Sequence, residues 1–333
     1  MVFSALQKST IDRSIRRAAL RMAEPVAPGI GARVAERLWF RLPAAQRPAS
    51  TITAGTPVRE LLGSAFEVHH RAHVVRGRTW GEGPVVYLVH GWGGTLEQLT
   101  PLVGPLLDRG LQVVSFDGLS HGRSDPGAHG AVSSDAVELG HSLDAVAVRF
   151  GPARAVVAHS MGALSSLLAI RDGWLASERL VLIAPPSGIP ELLERLRREL
   201  GLGERTTREL VERVRLRTGY APDALELVTI ATALEPHERP ELLVVHDLLD
   251  REVPHERSTH LVQCWPGAQL LSTVGLGHRR VLADAAVGGA VARFVDRLPV
   301  EATLHGGDRP QPLPGRAAAD GSGTAAQERA GAA

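Results

Sequence analysis

The sequence predicts an α/β protein with a mainly parallel central sheet, helices on both faces and a helical insertion before its last strands. Two observations carry this expectation. Short apolar segments of strand length alternate with helix-like segments: "VVYLV" (85–89), "LQVVSF" (111–116), "RAVVA" (154–158), "LVLIA" (180–184), "LLVVH" (242–246) and "AQLLST" (268–273). Continuous apolarity over about five residues marks strands buried on both faces, as in a parallel sheet covered by crossover helices. Between Pro185 and Pro240 the alternation stops, and "ELLERLRRELG", "ERTTRELVERVRLRTG" and "DALELVTIATALE" read as two or three helices.

Taken in order, residues 1–60 form a helical extension. In "IDRSIRRAALRMAE" Ile11, Ile15, Ala18, Ala19 and Met22 share one face, with arginines opposite. Pro25 and Pro28 break that helix, and "GIGARVAERLWFRL" forms a second one ending near Pro43. The segment is basic. A helix pair packed on the main domain, with solvated arginines, accounts for it more simply than contact with a membrane surface. From residue 64, "AFEVHHRAHVVRGRTW" alternates and turns through "GEGP", which predicts antiparallel strands. Helices are expected near 96–109, near 133–149, after Ser160 and over about 281–297. The core is thus assigned to 64–185 and 240–298, a helical cap to 186–239, and a disordered Gly/Pro/Ala/Gln tail to 304–333.

Composition narrows the function. The 333 residues suit one large α/β domain with an inserted lobe. A net charge of +1 argues against a nucleic-acid-binding protein. The single cysteine, Cys264, excludes an intrachain disulfide and is expected to be a small buried apolar residue. No apolar run approaches the ~18 residues of a membrane span, and the N-terminus lacks the apolar stretch of a signal peptide, so the expected location is cytoplasmic. His69, His70 and His73 lie at spacings that put them on opposite sides of a strand, with no cysteine or carboxylate cluster nearby, so no metal site is expected.

Chemistry centres on "ARAVVAHSMGALSSLLAI" (153–170), in which Ser160 stands alone between an apolar strand and a small-residue helix. A serine on such a corner is displayed clear of the sheet when its neighbours two before and two after are small, and here they are Ala158 and Gly162. A helix-capping serine is the plain alternative. A serine hydroxyl needs a base, and the base an orienting acid. Both follow in the chain: Asp250 in "LLVVHDLLDREVP" and His278 in "LLSTVGLGHRRVL", each after a strand. In "VVYLVHGWGGT", Gly91, Gly93 and Gly94 let backbone N–H groups approach a ligand closely, which makes the Trp92 and Met161 N–H groups the expected oxyanion donors.

On "HGWGG" (90–94), "FDGLSHGRSD" (116–125), "AHSMG" (158–162), "DREVP" (250–254) and "GLGH" (275–278), the chain resembles the α/β-hydrolase superfamily, specifically its cap-bearing serine hydrolases of the esterase, lipase and haloperoxidase-like kind. The resemblance covers roughly 64–298. It implies an α/β-hydrolase fold, a Ser160–His278–Asp250 triad, and Asp117 and Ser124 as braces of a loop. Alanine replaces the first glycine of the usual G-x-S-x-G. Asp247 is a rival acid, but the family acid lies before the Val-Pro pair, which fits Asp250. His90, His121 and His159 are rival bases; the first two are expected to be structural and His159 to point away from the site. Trp92 and His159 are candidate substrate-binding residues. The implied reaction is cleavage of a carboxylic ester through an acyl-enzyme, on a small-molecule substrate with an apolar acyl group and without metal or organic cofactor. An acyltransferase or thioesterase would use the same triad, and a non-catalytic binding protein would keep only the fold. Of the apolar cap residues Leu192, Leu193, Leu196, Leu225, Leu227 and Ile230, most are expected to form the cap's own core.

Overall fold

The computed structural model describes residues 17–43 (apart from 19 and 23) and 63–296. The expected helix over 11–22 therefore lies mostly outside the described residues, and the expected disordered tail wholly so. Eight strands form one sheet in the order β1-β2-β4-β3-β5-β6-β7-β8. β1 (Ser64–His70) and β2 (His73–Trp80) make an antiparallel hairpin, and β2 pairs antiparallel with β4 (Gln112–Asp117). The remaining pairings, through β3 (Val85–Val89), β5 (Ala153–His159), β6 (Ser177–Ile183), β7 (Glu241–Asp247) and β8 (Gln269–Thr273), are all parallel.

Strand periodicity divides the core into two layers. Tyr87 and Val89 of β3 and Val156 and Ala158 of β5 enter one apolar cluster, while Val86, Leu88, Ala155 and Val157 enter the other. Every side chain of β3 is buried, which explains its unbroken apolarity. Around the sheet lie helices α1 (Pro28–Trp39), α2 (Ala136–Phe150), α3 (Met161–Arg171), α4 (Ile189–Leu200), α5 (Glu204–Thr218), α6 (Leu227–Ala233), α7 (Glu256–Gln263) and α8 (Ala285–Asp296). The helix expected over 96–109 is a 3₁₀ turn over Leu96–Leu102 followed by a short helix over Val103–Leu107; Pro101 and Pro105 interrupt a regular ladder there. Helix α2 starts at Asp135, whose side chain accepts from the Glu138 N–H.

Helices α4, α5 and α6 fill the interval between β6 and β7. Their charges pair along the helices, as Arg197 with Glu194 and Arg215 with Glu212, which is the solvated face the sequence suggests. Leu193, Leu196, Leu200, Leu210 and Ile230 turn inward. Helix α1 lies on α5: Gly31 faces the Thr206 side chain, and Glu36 pairs with Arg213 at 3.0 Å. Cys264 corrects the expectation of full burial. It follows α7, where the helix end leaves it half-buried.

The connection from β3 to β4 runs one way along the sheet, and that from β4 to β5 returns past β3. A crevice therefore opens at the carboxyl ends of β3 and β5. Helix α3 begins hard against the chain leaving β3. A Cβ on Gly162 would lie 2.4 Å from the His90 carbonyl oxygen and 2.7 Å from that of Val89. Backbone cannot retreat as a flexible side chain does, so Gly162→Ala is expected to destabilise the protein by about 1–3 kcal/mol, read as a lower urea midpoint at unchanged slope.

Candidate active site

Ser160 sits at the corner between β5 and α3 with φ 54° and ψ −122°, a left-handed conformation rare for a residue with a side chain. Its N–H donates to the Ile183 carbonyl at 2.9 Å, and its own carbonyl accepts from the Ala163 N–H at 2.9 Å. Its side chain makes no capping bond, so the plain alternative of a helix-capping serine fails. A Cβ on Gly91 would come within 2.9 Å of the Ser160 Cβ, so the loop after β3 touches the corner and only glycine fits there.

His278 is brought to Ser160 by a short turn, Gly277–Arg280, after β8, and its Nε2 lies 3.0 Å from the Ser160 Oγ. Its Nδ1 lies 2.7 Å from Asp250 Oδ2. Facing a carboxylate, Nδ1 must donate, which leaves the Nε2 lone pair of the neutral ring for the serine hydroxyl. Asp250 lies in the turn after β7. Its Oδ1 accepts the N–H groups of Glu252 (2.7 Å) and Val253 (3.1 Å). Burial pushes the Asp250 carboxyl up, but the hydrogen bonds from His246 and His278 outweigh it and hold the group well below the usual carboxylate range. The rival acid, Asp247, is spent elsewhere. It accepts from the Thr273 hydroxyl (2.8 Å) and from the Leu276 (2.9 Å) and Leu249 (2.9 Å) N–H groups, tying the Asp250 loop to the His278 loop.

His246 is a residue that the sequence did not single out. Its ring is fully buried behind Asp250, with Nε2 3.2 Å from both Asp250 Oδ2 and the Val253 carbonyl. Both partners are acceptors, so Nε2 donates, and Nδ1 accepts from the Ser258 hydroxyl at 2.6 Å. Asp250 thus receives four donors. The only sequence signal was a histidine at the end of an otherwise apolar strand.

The remaining histidines are arranged as follows. His90 donates from Nδ1 to the Gly91 carbonyl and accepts the Gly118 N–H at Nε2. His121 donates to the Leu119 carbonyl. Both are the structural residues expected. His159 does not point away from the site as expected of it as a rival base: it lines the cleft at Ser160, its ring lies 4.8 Å from that of His278, and its Nε2 donates to the His278 carbonyl at 2.8 Å. Burial pushes His90 down to about 4 and His121 and His159 down to about 3, so all three are neutral. Asp117 and Ser124 brace their loop: Asp117 accepts the Leu96 and Arg123 N–H groups, and Ser124 donates to the Asp117 carbonyl.

One space adjoins Ser160, and a second adjoins its neighbour Met161. A narrow polar cleft runs past Ser160, His159 and His278 to a rim formed by the Glu252–Arg279 ion pair (3.2 Å). A small apolar cavity lies on the other side of Trp92, which borders both; Met161 lines the cavity too. Leu192 and Leu225 face it, whereas Leu193, Leu196, Leu227 and Ile230 belong to the packed core, much as expected. Met161 opens α3, so its N–H is one that the helix leaves without an internal acceptor. Among the described residues no cluster of three or more His, Cys, Asp or Glu is placed to hold a metal, and no helix is long and apolar enough to cross a membrane.

A family model described as "Alpha/beta hydrolase family" matches residues 86–331, well over half of the chain, and the chain belongs to that family. No curated protein matches it. Among solved structures it is similar to Est1E of Butyrivibrio proteoclasticus, described with ferulic acid bound, at 18% identity over 69% of this chain and 96% of that one, with a TM-score of 0.53. It is likewise similar to a bromoperoxidase of Bacillus anthracis (14% identity, 70% and 99% coverage, TM-score 0.54). A third is a thioesterase domain of the curacin biosynthetic pathway (18%, 70% and 98%, 0.51).

The buried groups predict the response to acid. Unfolding returns His90, His121 and His159 to the ordinary value of 6.5, so between there and about 4 the unfolded chain binds up to three more protons than the fold. Asp117 and Glu138, each raised to about 6 by burial, oppose this, because the fold binds up to two more protons through them between about 4 and 6. His70, His129, His141 and His255 are also lowered by burial and add to the unfolded side, while Asp144, raised by burial, adds to the folded side. The lowered histidines outnumber the raised carboxylates, so stability is expected to fall with acidification through pH 6 to 5, in urea titrations at stepped pH.

Proposed function

We propose that the protein is a serine hydrolase that cleaves carboxylic esters through an acyl-enzyme. The observation that carries this is the continuous hydrogen-bonded chain Ser160–His278–Asp250, with the serine on a strained corner and the base in the tautomer that accepts its proton. In the first step Ser160 Oγ attacks the carbonyl carbon while its proton passes to His278 Nε2. The negative charge gathers on the carbonyl oxygen beside the Trp92 and Met161 N–H groups. Such a donor contributes about 3–4 kcal/mol of transition-state stabilisation. His278 then protonates the departing alcohol. Water, deprotonated by the same ring, releases the acid and restores the serine. Asp250 stabilises the imidazolium in both steps, and His246 holds Asp250 in turn.

The apolar lining of the cavity beyond Trp92 supports an apolar acyl group. It is walled by Trp39 and Phe40 from α1 and by Ile189, Leu192, Val214 and Leu225 from the cap helices. Trp92, between cleft and cavity, sets how a chain passes from one to the other. Its indole Nε1–H is buried and has no partner among the described residues, a donor open to a polar atom near the acyl carbonyl.

Hydrolysis of p-nitrophenyl esters of graded chain length tests the assignment. Ser160→Ala is expected to lower kcat by at least ~10⁴-fold with its melting temperature kept; a folded variant that retains activity overturns the assignment. Leu192→Trp, which fills the cavity, is expected to lower kcat/KM for octanoate by ~10–100-fold and to spare acetate. A matched thioester measured beside each ester reads the preference for the leaving atom.

A further inference from the structure

We infer that the outer face of α1 docks the protein on an anionic lipid surface. Four of the ten exposed large apolar residues in the described chain fall within residues 22–34, at four-residue intervals: Met22 (77% exposed), Val26 (82%), Ile30 (59%) and Val34 (37%). Ile30 and Val34 lie one above the other on α1, and Arg33 and Arg37 share their face, both exposed. Arg21 and Arg41, also exposed, stand near either end of the stripe. The carboxylates of this segment are turned inward. Glu24 accepts the Arg205 and Thr206 N–H groups at the start of α5, and Glu36 pairs with Arg213 of α5. Among the described residues of this segment, the outward face therefore carries apolar residues interleaved with guanidinium groups.

A ridge of this kind fits a bilayer interface. The aliphatic side chains enter the boundary between headgroups and acyl chains, while the arginines hydrogen-bond lipid phosphates in forked pairs. The opposite face of the same segment carries Trp39 and Phe40 to the apolar cavity, so the docked side is the side on which that cavity lies. That an acyl chain then passes from membrane to cavity rests on the proposed ester hydrolysis; docking itself does not.

The test uses the full chain carrying Ser160→Ala, so that vesicle lipids stay intact. It is sedimented with phosphatidylcholine vesicles with and without about one-quarter phosphatidylglycerol. Binding is expected to the anionic vesicles, weakened by high salt, and lost by at least ~tenfold in Ile30→Ser/Val34→Ser and in Arg33→Ser/Arg37→Ser. Anionic vesicles that bind none of the protein, or bind parent and variants alike, overturn docking. So does light scattering that finds a dimer made monomeric by the apolar pair of substitutions, which would assign the ridge to a second copy. In the Ser160 background both double variants should keep activity on a water-soluble acetate ester. Failure of docking thus leaves the hydrolase assignment standing, and an inactive parent enzyme leaves the vesicle result standing.

Discussion

The corner at Ser160 is the constraint on which the site depends. A side-chain-bearing residue at φ 54° costs of order 1–3 kcal/mol, and it persists because every neighbour over-determines it. β5 is clamped between β3 and β6 in fixed register, with Ala158 opposite Val89 and Leu182. The serine N–H is bonded across to β6. α3, whose residues Met161–Ile170 are all buried, can leave in only one direction. Gly91 and Gly162 are the space this crossing demands, since any Cβ would strike serine or backbone. Alanine suffices at position 158 because its methyl group points into the apolar layer rather than at the crossing chain.

Around that corner the charges are few and fully answered. Asp250 is the one buried carboxylate beside His278, and four donors surround it. His90, His121 and His159 add dipoles without charge, because burial keeps them neutral. A low-polarity wall of this sort strengthens the Asp250–His278 interaction. Two aspartates three residues apart divide the work. Asp247 joins the loops after β7 and β8 into one body, and Asp250 then finds the imidazole at a fixed distance. Arg195 of α4, donating to the Glu252 carbonyl, and the Arg257–Glu191 pair fasten the inserted helices to the same loop.

The sequence revealed what depends on local pattern. Five-residue apolar runs marked the parallel strands, and small residues flanking Ser160 marked the corner. Asp250 and His278 were legible from their places after strands. What escaped depends on contacts distant in the chain. His246 resembles any strand-end residue until the turn after β7 folds Asp250 back upon it. Arg179 is 2% exposed at the start of β6, where it donates to the Val295 carbonyl of α8; nothing in "SERLVLI" marks that burial. His159 was expected to turn from the site, yet its ring slips beneath the His278 backbone. The division of the site into cleft and cavity by Trp92 depends on where α1 and α5 meet, which no single segment encodes.

The apolar cavity shows how a shared fold acquires its own pocket. The family-matched region begins at Val86, so Trp39 and Phe40 come from outside it. They are held there by a network as definite as the one around Asp250. The Arg217 guanidinium lies 3.7 Å from the Phe40 ring centroid and also bonds Asp135 and Ser133. Asp135 in turn caps α2, whose first residue, Ala136, lines the cavity. One arginine thereby joins α1, α5 and the start of α2 around a common apolar space. The small face Gly31, Ala32 and Ala35 lets α1 settle close enough on α5 for that joint to form. On the proposed mechanism the strained corner and its triad supply the chemistry, and the choice of acyl group falls to residues that precede the catalytic core.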